Sequence, residues 1–150
     1  MLRVHSVETP IGTLLLARDE AGLTRVDFQE PPETRSTDSL LLEAAGQLRA
    51  YFAGELERFD LPLSLHGTGF QRRVWSAVAA IPYGTTTSYS AIAAALGAPA
   101  ACRAVGAANG RNPLAIVIPC HRVVGASGAL TGYGGGIERK RFLLDLELGS

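Results

Sequence analysis

The sequence predicts an α+β fold in two parts. A small three-stranded antiparallel sheet with one helix spans residues 1–66, and a helix-rich part with a helix-turn-helix spans residues 67–150. Three observations predict it. Short apolar runs bounded by turn residues crowd the first 28 positions, apolar spacings of three and four take over from residue 39, and the charge changes sign between the parts. Residues 1–66 hold six arginines against eleven acids, a net −5; residues 67–150 hold eight bases against three acids, a net +5. No acid occurs between Asp60 and Glu138, whereas Arg72, Arg73, Arg103, Arg111 and Arg122 lie along that stretch. The asymmetry favours a polyanionic partner. A core rich in small residues would explain the missing acids but not the five arginines.

Leu2–Val7, Thr13–Arg18 and Leu23–Phe28 read as strands, the last two joined by the turn Asp19-Glu20-Ala21-Gly22. Gln29–Arg35, with its prolines and glutamates, reads as a loop. Ser39–Ala53 places apolar residues at 41, 44, 45, 48, 51 and 52, one helical face, and Gly54 suits its end. Residues 55–67 read as the passage to the second part.

Thr68-Gly69-Phe70-Gln71 has the form of a capping box, and Phe70, Val74, Ala77, Val78 and Ile81 line one face of the helix that follows. Pro82-Tyr83-Gly84 stops it. A helix over Ser90–Leu96 ends at Gly97, and Pro99 starts another that runs to about Ala108, giving the helix-turn-helix. Ala100, Ala101, Ala104, Gly106, Ala107 and Ala108 leave that second helix a low surface with one long side chain, Arg103. Close packing against a neighbouring helix is the plainer use of such small residues. Val123–Leu130 reads as a hairpin through Gly125-Ala126-Ser127-Gly128, followed by the glycine-rich loop Gly132–Gly136 and a last helix over Ile137–Leu148.

Length suits one domain or a small pair, and at 47% apolar the chain is globular. No apolar run approaches the roughly 18 residues of a membrane span, and the first residues lack signal-peptide character. A cytoplasmic protein with no membrane association is expected. Two cysteines without CxxC spacing and three scattered histidines predict neither a disulfide framework nor a zinc site, so no metal and no cofactor are expected.

The chemistry concentrates in Ile116-Val117-Ile118-Pro119-Cys120-His121-Arg122-Val123-Val124. A β-branched run delivers the chain to Pro119, whose fixed φ and missing N–H end regular pairing and hold Cys120 in one orientation. A thiol beside an imidazole is material for nucleophilic catalysis, because the thiolate is the attacking species. A buried, inert cysteine at the end of an apolar strand is the competing reading.

Pro119-Cys120-His121-Arg122-Val123 resembles the active-site motif of the O6-alkylguanine-DNA alkyltransferases, or methylated-DNA–protein-cysteine methyltransferases. The resemblance runs from about Gly69 to Glu147. It takes in Phe70-Gln71, Val74-Trp75, Ile81-Pro82-Tyr83-Gly84-Thr85, Ser88-Tyr89, Arg103-Ala104-Val105-Gly106, Asn112-Pro113 and Leu130-Thr131-Gly132-Tyr133. It implies a ribonuclease-H-like first domain, a winged-helix-like second domain, and a monomer acting on double-stranded DNA that contains O6-alkylguanine. Cys120 would be nucleophile and alkyl acceptor, His121 its base through a water, and Glu147 the group that orients His121. From the residues alone Glu147 reads equally as solvated surface near a helix end.

Tyr89 would rotate the target phosphate and later give a proton to the base, and Arg103 would fill the gap left by the flipped nucleotide. An inward-packing aromatic is the other reading of Tyr89. Asn112 would tie the second helix to the active-site strand, although a turn beside Pro113 would use it as well. Ser88, Ala101, Ala104, Arg111 and Arg122 complete the implied DNA surface. The implied substrate pocket uses Val123, Tyr133 and Gly134: the Cys120 and Val123 carbonyls face the base's amino group, and the Gly134 N–H faces the alkylated oxygen. An alkyltransferase-like lesion binder without transfer, a cytosolic cysteine hydrolase and a helix-turn-helix regulator are the alternatives.

Overall fold

Three short strands and a helix build the first unit. In the computed structural model, which describes residues 3–28, 34–130 and 132–149, strands β1 (Arg3–Thr9), β2 (Gly12–Arg18) and β3 (Leu23–Phe28) form one antiparallel sheet in the order β1-β2-β3. Register pairs Val7 with Leu14 and Leu16 with Val26, so these apolar side chains share one face, on which His5 lies opposite Leu16. Asp19 Oδ1 accepts from the N–H groups of Ala21 (2.9 Å) and Gly22 (3.1 Å) and closes the β2–β3 turn.

Helix α1 (Ser39–Phe52) starts where Asp38 Oδ2 accepts from Leu41 N at 3.0 Å, and it buries Leu41, Ala44, Ala45, Leu48 and Tyr51. Leu14, Leu16, Leu23, Leu41 and Leu48 have no exposed surface, each contributing roughly 1.5–3 kcal/mol by burial. Of the expected loop Gln29–Arg35, residues 29–33 lie outside the described residues, as does Leu2 of the first expected strand.

Residues 113–117, counted above with the second part, cluster instead with the first unit. Leu114 bridges Val26 in parallel, Val26 N donates to Pro113 O (2.9 Å) and Ala115 N donates to Val26 O (3.1 Å). The β-branched run is therefore not an extended strand. Val117 N donates back to Ala115 O at 2.8 Å around Ile116, whose φ is 72°, a tight turn centred on a β-branched residue. That conformation costs on the order of 1–3 kcal/mol and is held by surrounding contacts.

The second unit comprises Gly67–Asn112 and Ile118–Ser150. The capping box forms as expected: Gln71 N donates to Thr68 Oγ1 and Thr68 N to Gln71 Oε1, both at 3.0 Å, at the start of α2 (Gly69–Ala79). Trp75 Nε1 donates to Ala108 O at 2.8 Å and ties α2 to α4 (Cys102–Gly110). Strand β4 (Thr87–Ser88) runs directly into α3 (Tyr89–Ala95), and Gly97, at φ 73°, reverses the chain toward α4.

Helix α4 starts at Cys102 rather than Pro99, because Ala101 N closes a turn on Ala98 O at 2.8 Å, and it continues to Gly110. The expected hairpin over Val123–Leu130 is not a two-stranded ladder. Strand β5 (Val123–Val124) pairs in parallel with β4, Thr87 opposite Val123 and Ser88 opposite Val124, and Gly125–Ala129 only closes a turn. That short pairing sets the start of α3 beside the Cys120-His121-Arg122 turn. Helix α5 (Ile137–Leu148) ends the unit. Among the described residues no helix is long and apolar enough to cross a membrane.

Candidate active site

Helix α5 buries Lys140, Leu143, Leu144 and Glu147, spaced i, i+3, i+4 and i+7 on one face. The two charges at the ends of that face need partners, since an unpaired buried charge costs several kcal/mol. Glu147 finds them in the turn Cys120–Arg122. Its Oε2 accepts from His121 Nε2 at 2.7 Å and from Arg122 Nη2 at 2.9 Å, and its Oε1 accepts from Arg122 Nε at 2.7 Å and Gly84 N at 3.3 Å. Arg122 Nη1 donates to Ile81 O at 2.7 Å, and the guanidinium stacks 5.6 Å from the Tyr83 ring centre. Lys140 Nζ donates to Val123 O at 2.6 Å.

This network fixes the imidazole's chemistry. A carboxylate only accepts, so the bond to Glu147 keeps the His121 proton on Nε2 and leaves a lone pair on Nδ1. Nδ1 is buried and has no hydrogen-bond partner among the described residues. Burial lowers the His121 pKa, against the pull of Glu147, so the ring is a neutral base at ordinary pH.

Cys120 sits at the start of the same turn. Pro119 (φ −80°, ψ 65°) carries a tight turn in which Cys120 N donates to Ile118 O at 2.7 Å. Asn112 Nδ2 donates to that same Ile118 carbonyl at 2.8 Å. Burial pushes the Cys120 thiol up, while a hydrogen bond from the Asn112 side chain and the Lys140 ammonium draw it down. The arrangement is a buried nucleophile held by an asparagine, next to a neutral, oriented base and a buried cation.

A cavity of about 440 Å³ opens nearby, lined by Tyr89, Cys102, Arg103, Gly106, Asn109, Gly110, Gly132, Tyr133 and Gly134. That volume suits a flat heterocycle. The Tyr89 ring lies over Gly106, where an added Cβ would come within 3.7 Å of it. Burial raises the Tyr133 phenol well above its ordinary range, and neighbouring Cys120 adds to that shift. Among the described residues no group of three or more His, Cys, Asp or Glu side chains could hold a metal ion.

The structure brings Cys120, His121, Glu147 and Asn112 together, and puts Tyr89, Arg103, Tyr133 and Gly134 around one cavity. Glu147 is buried, not solvated. Ser88 caps α3, its Oγ accepting from Ala91 N at 3.0 Å; Ala101 precedes α4; Arg103, Ala104 and Arg111 are exposed along it.

Two expectations need correction. Arg122 cannot belong to a DNA surface: it is 5% exposed and its charge is spent on Glu147. Val123 does not line the cavity; it is fully buried and its carbonyl serves Lys140. Sequence reasoning passed over Lys140 and Asn109. The signal for Lys140 was its place on the Leu143–Leu144 face of α5, where a solvated lysine does not belong.

Residues 69–149 match the family model described as 6-O-methylguanine DNA methyltransferase, DNA binding domain, and residues 2–65 match that described as 6-O-methylguanine DNA methyltransferase, ribonuclease-like domain. The chain is 54% identical over 153 residues to the methylated-DNA–protein-cysteine methyltransferase of Mycobacterium tuberculosis, covering 98% of this chain and 93% of that one. To the protein of the same name from Methanosarcina barkeri it is 51% identical over 148 residues, covering 94% of each. The crystal structure of Mycobacterium tuberculosis OGT in complex with DNA matches with a TM-score of 0.90 and 53% identity, over 97% of this chain and 92% of that one. Two domain models in the right order, and relatives above half identity along nearly the whole length, place this chain in the methylated-DNA–protein-cysteine methyltransferase family.

Proposed function

We propose that this chain repairs O6-alkylguanine in double-stranded DNA by taking the alkyl group onto Cys120 Sγ, irreversibly and once per molecule. The observation that carries the reading is the buried series Cys120, His121, Glu147 and Arg122, in which Glu147 accepts from His121 and Arg122 and leaves His121 Nδ1 as the open basic atom beside Cys120 in sequence. A thiol of ordinary pKa is only a few per cent thiolate at neutral pH, so the attacking group needs a base. The thiol proton passes through a water to His121 Nδ1, and Glu147 steadies the imidazolium that results. The sulfur–carbon bond forms as the bond from the alkyl carbon to O6 breaks, and the electron pair leaves with guanine. Tyr89, at the cavity wall, supplies the proton that neutralises the departing base.

An alkyl carbon inside the base stack is out of reach, so the nucleotide is flipped at a cost of a few kcal/mol. Arg103, exposed on the small-residue surface of α4, takes its place in the duplex. Asn112 links α4 to the Cys120 turn, and Tyr133 and Gly134 wall the base. Lysine and arginine outnumber acids over residues 67–150, which draws in the phosphate backbone. The product is a thioether, which offers water no leaving group, so turnover stops at one. A monomer in a reducing cytoplasm suffices, since every group named lies on one chain and the thiol must stay reduced.

Duplex DNA with one O6-methylguanine, followed by intact-protein mass and peptide mapping, tests this. The expected result is one methyl per molecule, on Cys120, and none on Cys120→Ala. A methyl on Cys102, several methyls removed per molecule, or lesion binding without mass gain would each overturn the reading.

A further inference from the structure

A second thiol stands on the cavity wall and takes no part in the reaction above. Cys102 is exposed, whereas Cys120 is buried. It opens α4, and Cys102, Gly106, Asn109 and Gly110 recur at the spacing of one helical face, which is why all four line the cavity. The groups around this thiol suit one kind of molecule. Ala101, at the N-cap, gives the first turn of α4 no side-chain hydrogen bond, so that helix end is open to a carboxylate. The exposed Arg103 guanidinium, next in sequence and on the same cavity, is a second group for that carboxylate. Asn109 is 4% exposed, and its Nδ2 donates to the Cys120 carbonyl at 3.4 Å. Its Oδ1 is buried with no hydrogen-bond partner among the described residues. Buried acceptors are rarely left unsatisfied, so this oxygen calls for a donor such as an amide N–H. A thiol-reactive molecule that carries both a carboxylate and an amide is a small peptidyl disulfide.

We propose that Cys102 is a reversible thiolation site: a low-molecular-weight peptidyl disulfide exchanges with it, and the adduct fills the cavity and halts repair until it is reduced. The inference rests on the reading that O6-alkylguanine enters this cavity. The step balances with no other reactant. Cys102 Sγ, as thiolate, attacks one sulfur of the disulfide, and the new S–S bond forms as the old one breaks. The departing thiolate takes up the proton that Cys102 gave up. Cys102 is thereby oxidised to a mixed disulfide, and one half of the reagent is reduced to a thiol. A second thiol reverses the exchange. Unlike the thioether on Cys120, this adduct therefore leaves the acceptor available for its one repair. Cys120 is 8% exposed, so Cys102 is the thiol that a bulky disulfide meets first. The adduct also stands beside Arg103, on the surface of α4 that the proposed repair lays against duplex DNA.

The test treats the reduced protein with oxidised glutathione and maps the adduct by peptide mass. Single-turnover transfer from duplex O6-methylguanine is followed before treatment, after it, and after dithiothreitol. One glutathionyl group should appear on Cys102 with Cys120 free, transfer should fall in proportion to the modified fraction, and dithiothreitol should restore it. In Cys102→Ser the ratio of treated to untreated transfer should stay near one. Each ratio is taken within a single preparation, so partial misfolding of a variant cancels. Cystamine, a disulfide with neither carboxylate nor amide, separates recognition from access. The glutathione-to-cystamine rate ratio at Cys102 should fall several-fold in Arg103→Gln. An adduct confined to Cys120, no adduct on either thiol, full transfer by the Cys102 adduct, or a rate ratio unchanged in Arg103→Gln overturns the proposal and leaves the alkyl-transfer reading intact. No transfer by the untreated protein overturns that reading, and the proposal with it.

Discussion

Each unit of this protein contains a histidine paired with a carboxylate, and only the second pair has the burial and fixed donor direction that the proposed proton relay requires. In the first unit His66 Nε2 lies 3.1 Å from Asp19 Oδ2, and Ser64 Oγ lies 2.7 Å from that oxygen and 3.1 Å from the ring. Serine, histidine and aspartate are all within reach of one another, as a hydrolase would require. In the second unit His121 Nε2 lies 2.7 Å from Glu147 Oε2. Surroundings separate the two: the His66 and Asp19 side chains are 74% and 35% exposed, those of His121 and Glu147 0% and 1%. In water the first pair is screened and worth little. Direction separates them too. Ser64 gives its proton to Asp19, so the imidazole has no hydroxyl to deprotonate, whereas His121 Nδ1 points a free lone pair into the protein. Proximity of the right residue types is therefore a weak signal, and burial with fixed donor direction a strong one.

Breaking the buried pair should have the largest effect. Glu147→Gln leaves the Arg122 guanidinium enclosed with only a neutral amide, a loss of about 3–5 kcal/mol, and turns one of the two accepting oxygens shared by His121 and Arg122 into a donor, so the His121 tautomer is no longer fixed. Melting temperature should drop by several degrees, and transfer from free O6-benzylguanine should slow by roughly 100-fold or more. Adding Arg122→Met removes the orphaned cation and should restore much of the melting temperature without restoring transfer. Recovery of both together would mean that Glu147 matters only for folding.

Lys140→Met tests the second buried charge and should cost less. The Val123 carbonyl loses its donor, at about 1–3 kcal/mol. The kinetic effect follows from the thiol. Burial raises the Cys120 pKa, so the thiolate fraction, and with it the rate on free O6-benzylguanine, climbs with pH through the neutral range. The Lys140 ammonium opposes that rise, and without it the rate profile should move to higher pH, with transfer at neutral pH down by on the order of 10-fold. His121 adds an acid limb. Its pKa is lowered, so the ring stays a base until the pH falls below the ordinary histidine value, and the limb should lie there in both proteins. Superimposable profiles for wild type and variant would remove Lys140 from the chemistry.

What could be read from the sequence followed what is local. The capping box at Thr68–Gln71, the apolar face of α1 and the Asp19 turn are decided by residues within one or two turns of each other, and they form as expected. Long-range partners stayed hidden. A β-branched run such as Ile116–Ile118 favours extension, yet pairing of Leu114 with Val26 bends it into a turn at Ile116. Arg122 looked like a phosphate contact because nothing local shows that Glu147, 25 residues on, will neutralise it. Glu147 alone read as surface, and it was the family motif, not spacing, that tied it to His121. Asn109 was lost in a helix of alanines, where an asparagine near the end suggests only a cap.

The smallest predicted effect is the sharpest check on the comparison. His66→Ala removes one partner of Asp19 and should change the melting temperature by no more than about 1–2 °C, in line with an exposed ion pair. The reason lies in what remains. Asp19 keeps Ser64 Oγ and the N–H groups of Ala21 and Gly22, and of its partners Ser64 does most to hold the carboxyl below the usual carboxylate range. A carboxylate with a depressed folded-state pKa lends stability above its ordinary pKa of about 4 and loses it as pH falls further. With Ser64 still in place the carboxyl stays depressed in the variant, and loss of the His66 hydrogen bond, second to that of Ser64, should move the acid window only part of the way up. Transfer to Cys120 should be unchanged, since His66 touches none of the groups that move a proton. Melting curves at neutral pH and at about pH 3, with a single-turnover transfer assay beside them, decide the matter. A several-fold loss of transfer with melting unaltered would give the exposed pair a part in the chemistry, and the distinction drawn between the two histidines would fail.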